Sequence, residues 1–176
     1  RDFWLDLKIN DIPQTALSAI DSLRDLKRCK YITVHANGGL DMLKAAQKHT
    51  KKINKNLKVL GVTILTSLNN KSLKEIGHTK NVQQLVLKQA KLIKKSGCDG
   101  IVCSSQEANM IRKKFKNLLI ITPGIRLPGD SSNDQARVMT PKDAFKNKVS
   151  GVVMGRSLTK GNIKYNIKKL IDHLSQ

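Results

Sequence analysis

The sequence predicts an α/β protein built on a parallel sheet. Six short apolar segments recur along the 176 residues, amphipathic stretches of helical period separate them, and several of the six run apolar without in/out alternation. Alternation marks a strand with one wet face, so its absence indicates strands covered by helices on both sides, as in parallel sheets. A chain of this length buries roughly 70% of its unfolded surface, enough for one core. A single domain over 1–176 is therefore expected, with no linker inside it.

Taken in order, the predicted strands are Phe3–Leu7, Tyr31–Ala36, Val59–Leu65, Gly100–Cys103, Leu118–Thr122 and Gly151–Met154. Pro13 stands near the start of a helix carrying Leu17, Ile20 and Leu23, where a missing N–H costs nothing. Ser104 to Glu107 reads as a capping box ahead of Ala108 and Ile111. Thr140-Pro141 reads as an N-cap followed by proline at the first helical position. Ile163, Ile167, Leu170, Ile171 and Leu174 share one helical face, so a C-terminal helix is expected to dock onto the sheet. Lys8, Thr66, Arg126 and Arg156 fall at the C-terminal ends of different predicted strands. A TIM-type (β/α)8 barrel gathers those ends at one mouth, where its active sites lie, and this favours a barrel over an open sheet. Only about six of the eight strand–helix units are present in this chain.

Composition narrows the class. The longest apolar runs, such as Leu57 to Leu65, are strand-sized and far below the ~20 residues of a membrane span. Asp2, Asp6 and Lys8 interrupt what a signal peptide would keep apolar, so a soluble cytoplasmic protein is expected. Cys29, Cys98 and Cys103 form no Cys-x-x-Cys unit, and His35, His49, His78 and His173 show no metal-ligand spacing. Neither a disulfide framework nor a zinc site is expected. The net charge of +20 attracts any anion, but it is carried by 26 Lys against 7 Arg, with only 3% aromatic residues. Nucleic-acid recognition favours arginine forks and stacking aromatics, so solvated lysine-rich faces are the better reading.

The most informative stretch is Asp6 to Thr15. In a strand, residues i and i+2 share a face, so Asp6 and Lys8 are expected to point the same way and to pair. On a buried strand each charge costs several kcal/mol to desolvate, and the two persist there by compensating one another.

These residues spell Asp-x-Lys-x-x-Asp-Ile-Pro-x-Thr at Asp6, Lys8, Asp11, Ile12, Pro13 and Thr15. Val34-His-Ala-Asn-Gly-Gly39, Val62-Thr-Ile-Leu-Thr-Ser67, Pro123-Gly-Ile-Arg126, Asp134-Gln135 and Gly155-Arg156 follow in order. The ordered set resembles the orotidine 5′-phosphate decarboxylases, from Phe3 to about the C-terminus. The resemblance implies conversion of orotidine 5′-phosphate to uridine 5′-phosphate, in pyrimidine biosynthesis, with no cofactor and no metal. It implies a catalytic set of Lys8, Asp6 and Asp11: Lys8 meets the carbanion left on the pyrimidine and supplies the proton, while Asp6 holds Lys8 protonated. Substrate-binding roles are implied for Thr15, Thr66, Arg126, Gln135, Gly155 and Arg156, with Arg156 on the phosphate and Gln135 bridging phosphate and pyrimidine from a lid. Asp11 and Thr15 are implied to reach a partner's ribose site in a homodimer; without a family, Asp11 reads as the cap of the helix entered through Pro13. His35 keeps its plain reading as a hydrogen-bonded core histidine.

Family members carry two more strand–helix units ahead of the segment matching Phe3, with an aspartate for the ribose and a lysine for the charged network. Read without them, the barrel is expected to show two unpaired strand edges and to lack one cation of the network. Two rivals remain at this level. Magnesium-dependent sugar-phosphate decarboxylases and synthases share Asp-x-Lys-x-x-Asp, and a basic nucleic-acid-binding protein on a degenerate barrel would use the charge.

Overall fold

The structure, a computed structural model, describes residues 1–130 and 138–175. Along the chain the elements are β1 (Phe3–Ile9), α1 (Pro13–Asp21), β2 (Cys29–His35), a 3-10 turn (Ala36–Gly38), α2 (Gly39–Ile53), β3 (Lys58–Val62), α3 (Asn70–Glu75) and α4 (Val82–Ser96). They continue with β4 (Gly100–Val102), α5 (Ser105–Lys114), β5 (Leu119–Thr122), α6 (Pro141–Lys146), β6 (Gly151–Val152), α7 (Arg156–Thr159) and α8 (Ile163–Ser175). Each predicted strand is present, but β3 ends at Val62 rather than Leu65 and β6 at Val152 rather than Met154, while β4 and β5 are each one residue shorter than predicted. The chain divides into two compact units: Arg1–Thr63 with Gln84–Val102, and Ile64–Gln83 with Cys103–Gln176.

In the first unit β1 to β4 pair in chain order and all in parallel, with Tyr31 to His35 beside Lys58 to Val62 and Leu60 to Val62 beside Gly100 to Val102. Ile32 and Val34 of β2, Val59 and Leu60 of β3 and Ile101 of β4 are wholly buried, as the unalternating runs predict. Ala16 and Ile20 of α1 and Met42, Leu43 and Ala46 of α2 are buried too, and the two helices pack together. β1 departs from the expectation: Phe3 is 39% and Leu7 47% exposed. Among the described residues its one strand partner is β2, which leaves its other edge without a neighbouring strand.

The second unit contains β5 and β6, parallel at Ile121↔Gly151 and Thr122↔Val152. The Arg112 guanidinium on α5 ties their entrances, donating to the carbonyls of Lys116, Leu118 and Lys148 and to Ser150 Oγ. Both predicted cap residues cap, though Ser104 bonds the second helical residue rather than Glu107, so the Ser104–Glu107 capping box is not formed as predicted. Thr140 Oγ1 accepts the N–H of Asp143 to start α6 with Pro141 at its first position, and Ser104 Oγ accepts from Gln106 to start α5. Asn69, not singled out in the sequence, caps α3 by accepting from Lys71 and Ser72.

α8 corrects an expectation. Its helix is present, but none of its residues is buried, and Ile163, Tyr165, Ile167, Ile171 and Leu174 are 43–58% exposed. It packs chiefly against α6 and α7, with the Lys142 N–H donating to His173 and the Asn166 amide donating to the carbonyls of Leu158 and Lys160. Helical period showed that an apolar stripe exists; it carries no information on what covers the stripe.

Candidate active site

The charged cluster starts from an irregularity in β1. Leu5 stands opposite Ile32 and Ile9 opposite Val34, so β1 uses four residues where β2 uses two. The surplus is a bulge over Asp6, Leu7 and Lys8, and Lys8 has φ 51°, left-handed for a residue with a Cβ. Lys8 Nζ donates to Asp6 Oδ2 at 2.7 Å. The Lys8 N–H donates to Thr33 Oγ1 at 2.8 Å, and the Thr33 hydroxyl donates to Asp6 Oδ1, also at 2.8 Å. The expected pair is formed, through a bulge rather than regular alternation. The expected burial is not: the Lys8 and Asp6 side chains are 40% and 46% exposed. A pair that wet contributes about 1 kcal/mol or less to stability, so mutual desolvation is not what keeps it.

His35 follows Thr33 by two residues on β2 and so shares its face. Its Nδ1 accepts the Asn37 N–H at 3.4 Å. Burial, and after it the nearby Lys8 ammonium, hold its pKa below the ordinary value of 6.5, so the ring is neutral at pH 7. The histidine is half-buried, not a core residue.

Asp11 and Thr15 are exposed, and Ile12 between them is 67% exposed. The Asp11 carboxylate accepts the Ile12 N–H at 2.7 Å. It is not the helix cap: Ile12 holds that position and, being hydrocarbon, supplies no side-chain bond, while Pro13 at the first helical position leaves one fewer N–H to satisfy.

In the second unit Thr66 lies on the loop past the end of β3 and is 8% exposed. Arg126 and Arg156 line one cleft of about 300 Å³ with Gly129, Asp130, Ser157, Lys160 and Asn166. Three cations against one carboxylate give it a positive balance of charge. The Arg126 backbone is fixed by N–H donation to Met139 O, its Nη1 donates to Ile125 O, and its Nε is buried without a hydrogen-bond partner among the described residues. Ser157 Oγ, on the same cleft, is in the same state. Buried donors without acceptors are costly. Gly155 precedes Arg156 at the start of α7, and a Cβ there would meet no heavy atom within 4 Å, so the approach over it is open. Gln135 and the middle of the expected lid lie outside the described residues.

A model of the orotidine 5′-phosphate decarboxylase / HUMPS family matches residues 3–165. The chain belongs to this family. Orotidine 5′-phosphate decarboxylases of Idiomarina loihiensis and of Buchnera aphidicola from Schizaphis graminum are 40% and 43% identical to it, over 89% and 95% of this chain and 68% and 70% of theirs. The Coxiella burnetii decarboxylase is 40% identical over 96% of this chain and 72% of its own. Among solved structures, the Lactobacillus acidophilus decarboxylase superposes on 99% of this chain and 76% of its own, with TM-score 0.84 and 31% identity. The Methanocaldococcus jannaschii decarboxylase, complexed with the inhibitor BMP, covers 100% of this chain at TM-score 0.74 and 25% identity. The barrel expectation stands, this chain supplying six parallel strand–helix units of that decarboxylase fold.

Thr33, Ser157 and Lys160 escaped sequence reading. A threonine in an apolar run reads as an ordinary strand former. Only the register of β1 on β2 places its hydroxyl between Asp6 and Lys8. Ser157 and Lys160 had a usable signal, lying one and four residues beyond Arg156.

Proposed function

We propose that this chain catalyses the decarboxylation of orotidine 5′-phosphate to uridine 5′-phosphate in pyrimidine biosynthesis, without metal or cofactor. The observation that carries this is the Lys8–Asp6 pair at 2.7 Å inside a chain matched to the decarboxylase family from residue 3 to residue 165. The bond from the pyrimidine carbon to its carboxylate breaks, carbon dioxide leaves, and the carbon keeps the electron pair. The Lys8 ammonium faces that developing charge and then transfers a proton to it. Two unit charges ~4 Å apart interact by about 4 kcal/mol at an effective dielectric near 20. An interaction that strengthens toward the transition state lowers the barrier by that amount, about a thousandfold in rate.

Asp6 holds the ammonium in place. Arg126 and Arg156, joined by Ser157 and Lys160, hold the phosphate, and the unsatisfied donors of Arg126 and Ser157 support that assignment. Thr66 takes the pyrimidine and Gln135 spans pyrimidine and phosphate. Asp11 and Thr15 act across a homodimer interface, which the exposure of Asp11, Ile12 and Thr15 supports. Among the described residues no helix is long and apolar enough to cross a membrane, in keeping with a cytoplasmic biosynthetic enzyme.

The test is a decarboxylation assay on this chain alone and fused at Arg1 to the two strand–helix units that family members carry ahead of it, each with and without EDTA. Turnover that EDTA leaves untouched is expected. No consumption of orotidine 5′-phosphate by either version sinks the proposal, and a magnesium requirement moves the chain to the sugar-phosphate branch of its family.

A further inference from the structure

The geometry points to Thr33 as a positioning residue that fixes the Lys8 ammonium through Asp6 and through the backbone of Lys8 itself. Thr33 is wholly buried on β2, a strand paired on both sides, and its branched side chain has little rotameric freedom there. An ionised carboxylate only accepts, so the Thr33 hydroxyl donates to Asp6 Oδ1 and its lone pair receives the Lys8 N–H. Asp6 Oδ2 in turn receives Lys8 Nζ. A closed circuit results: Lys8 main chain to Thr33, Thr33 to Asp6, Asp6 to the Lys8 side chain.

The circuit accounts for two oddities. Lys8 adopts φ 51° without being glycine, and the bond from its N–H to Thr33 is what rewards that conformation. The Asp6–Lys8 pair is about half exposed, where two flexible side chains are ordinarily loosely held. Anchoring one carboxylate oxygen to a buried hydroxyl removes that looseness. Reacting groups must be held to within ~0.5 Å of their working geometry, and the buried hydroxyl is a rigid reference for both side chains.

This role rests on the decarboxylase reading, and one part of its test does not. Thr33→Val keeps the shape and removes the hydroxyl; Thr33→Ser keeps the hydroxyl. Where wild type turns over, Thr33→Val is expected to lower kcat by about tenfold or more with KM within about twofold, and Thr33→Ser to restore most of the rate. An unchanged kcat, or a loss carried wholly by KM, overturns the assignment. Amide hydrogen exchange of Lys8, followed by NMR, is expected to quicken in Thr33→Val and to stay near wild type in Thr33→Ser. If wild type consumes no orotidine 5′-phosphate, the functional reading fails and this exchange alone decides: unchanged exchange at Lys8 rules out the clamp, and faster exchange sustains it. Should valine unfold the chain, Thr33→Ala is read in the same ways.

Discussion

Lys8 and Arg156 make separable contributions at the scale of single residues. An ammonium that matters only as charge develops on carbon should be dispensable for binding. Lys8→Ala is expected to cut turnover by at least about a thousandfold, the size of one lost charge contact near 4 kcal/mol. It should leave the affinity for uridine 5′-phosphate, measured by calorimetry, within a few-fold. Loss of affinity with turnover retained would remove Lys8 from its role. Arg156 is the converse case. Its cleft holds Arg126 and Lys160 as well, so Arg156→Ala should weaken a phosphorylated ligand by about 1.5–3 kcal/mol, as for a hydrogen bond to a charged group, rather than abolish binding. Calorimetry with uridine 5′-phosphate and with uridine separates the two contributions, because uridine should bind the variant and the wild type alike.

Among the elements, β3 is tightly constrained at its centre. Gly61 lies at its centre, and a Cβ there would come within 2.6 Å of Ile93 Cδ1 on α4, closer than real side-chain contacts. Both Gly61 neighbours in the sheet are fixed by pairing, to Val34 on β2 and to Ile101 on β4, so the strand cannot retreat. Gly61→Ala is expected to destabilise by about 1–3 kcal/mol, the usual cost of overpacking, read as a lower urea midpoint. An alanine variant as stable as wild type would mean that α4 shifts freely over the sheet.

For the whole molecule, acid should act in two steps. His35 has a folded pKa below 6.5, so protonation favours the unfolded chain. Its contribution is complete above pH 6.5 and is lost as pH falls through the folded value. Asp21, bonded to Arg24 and His49, and Asp143, bonded to Thr140, are held below 3.8; their contributions persist above that value and vanish as pH falls through the lowered ones. Urea midpoints followed from neutral to acid pH should therefore show a decline starting near pH 6.5 that His35→Gln removes, and a second at lower pH that it does not. A wild-type midpoint flat down to the second step would show that His35 titrates alike in both states. Much of this molecule is local and hence legible in the chain: the six strands, the caps at Ser104 and Thr140, and the ordered motifs from Asp6 to Arg156 that give its family. Periodicity, capping and motif spacing depend on neighbours within a few residues, and a sequence displays those directly. Thr33, the bulge that turns Lys8, the exposed stripe of α8 and the joining of Ser157 to Arg126 in one cleft were decided by the tertiary structure. Each depends on register or cover between segments far apart in the chain, and a hydroxyl or an apolar face has no fixed role until packing selects its partner.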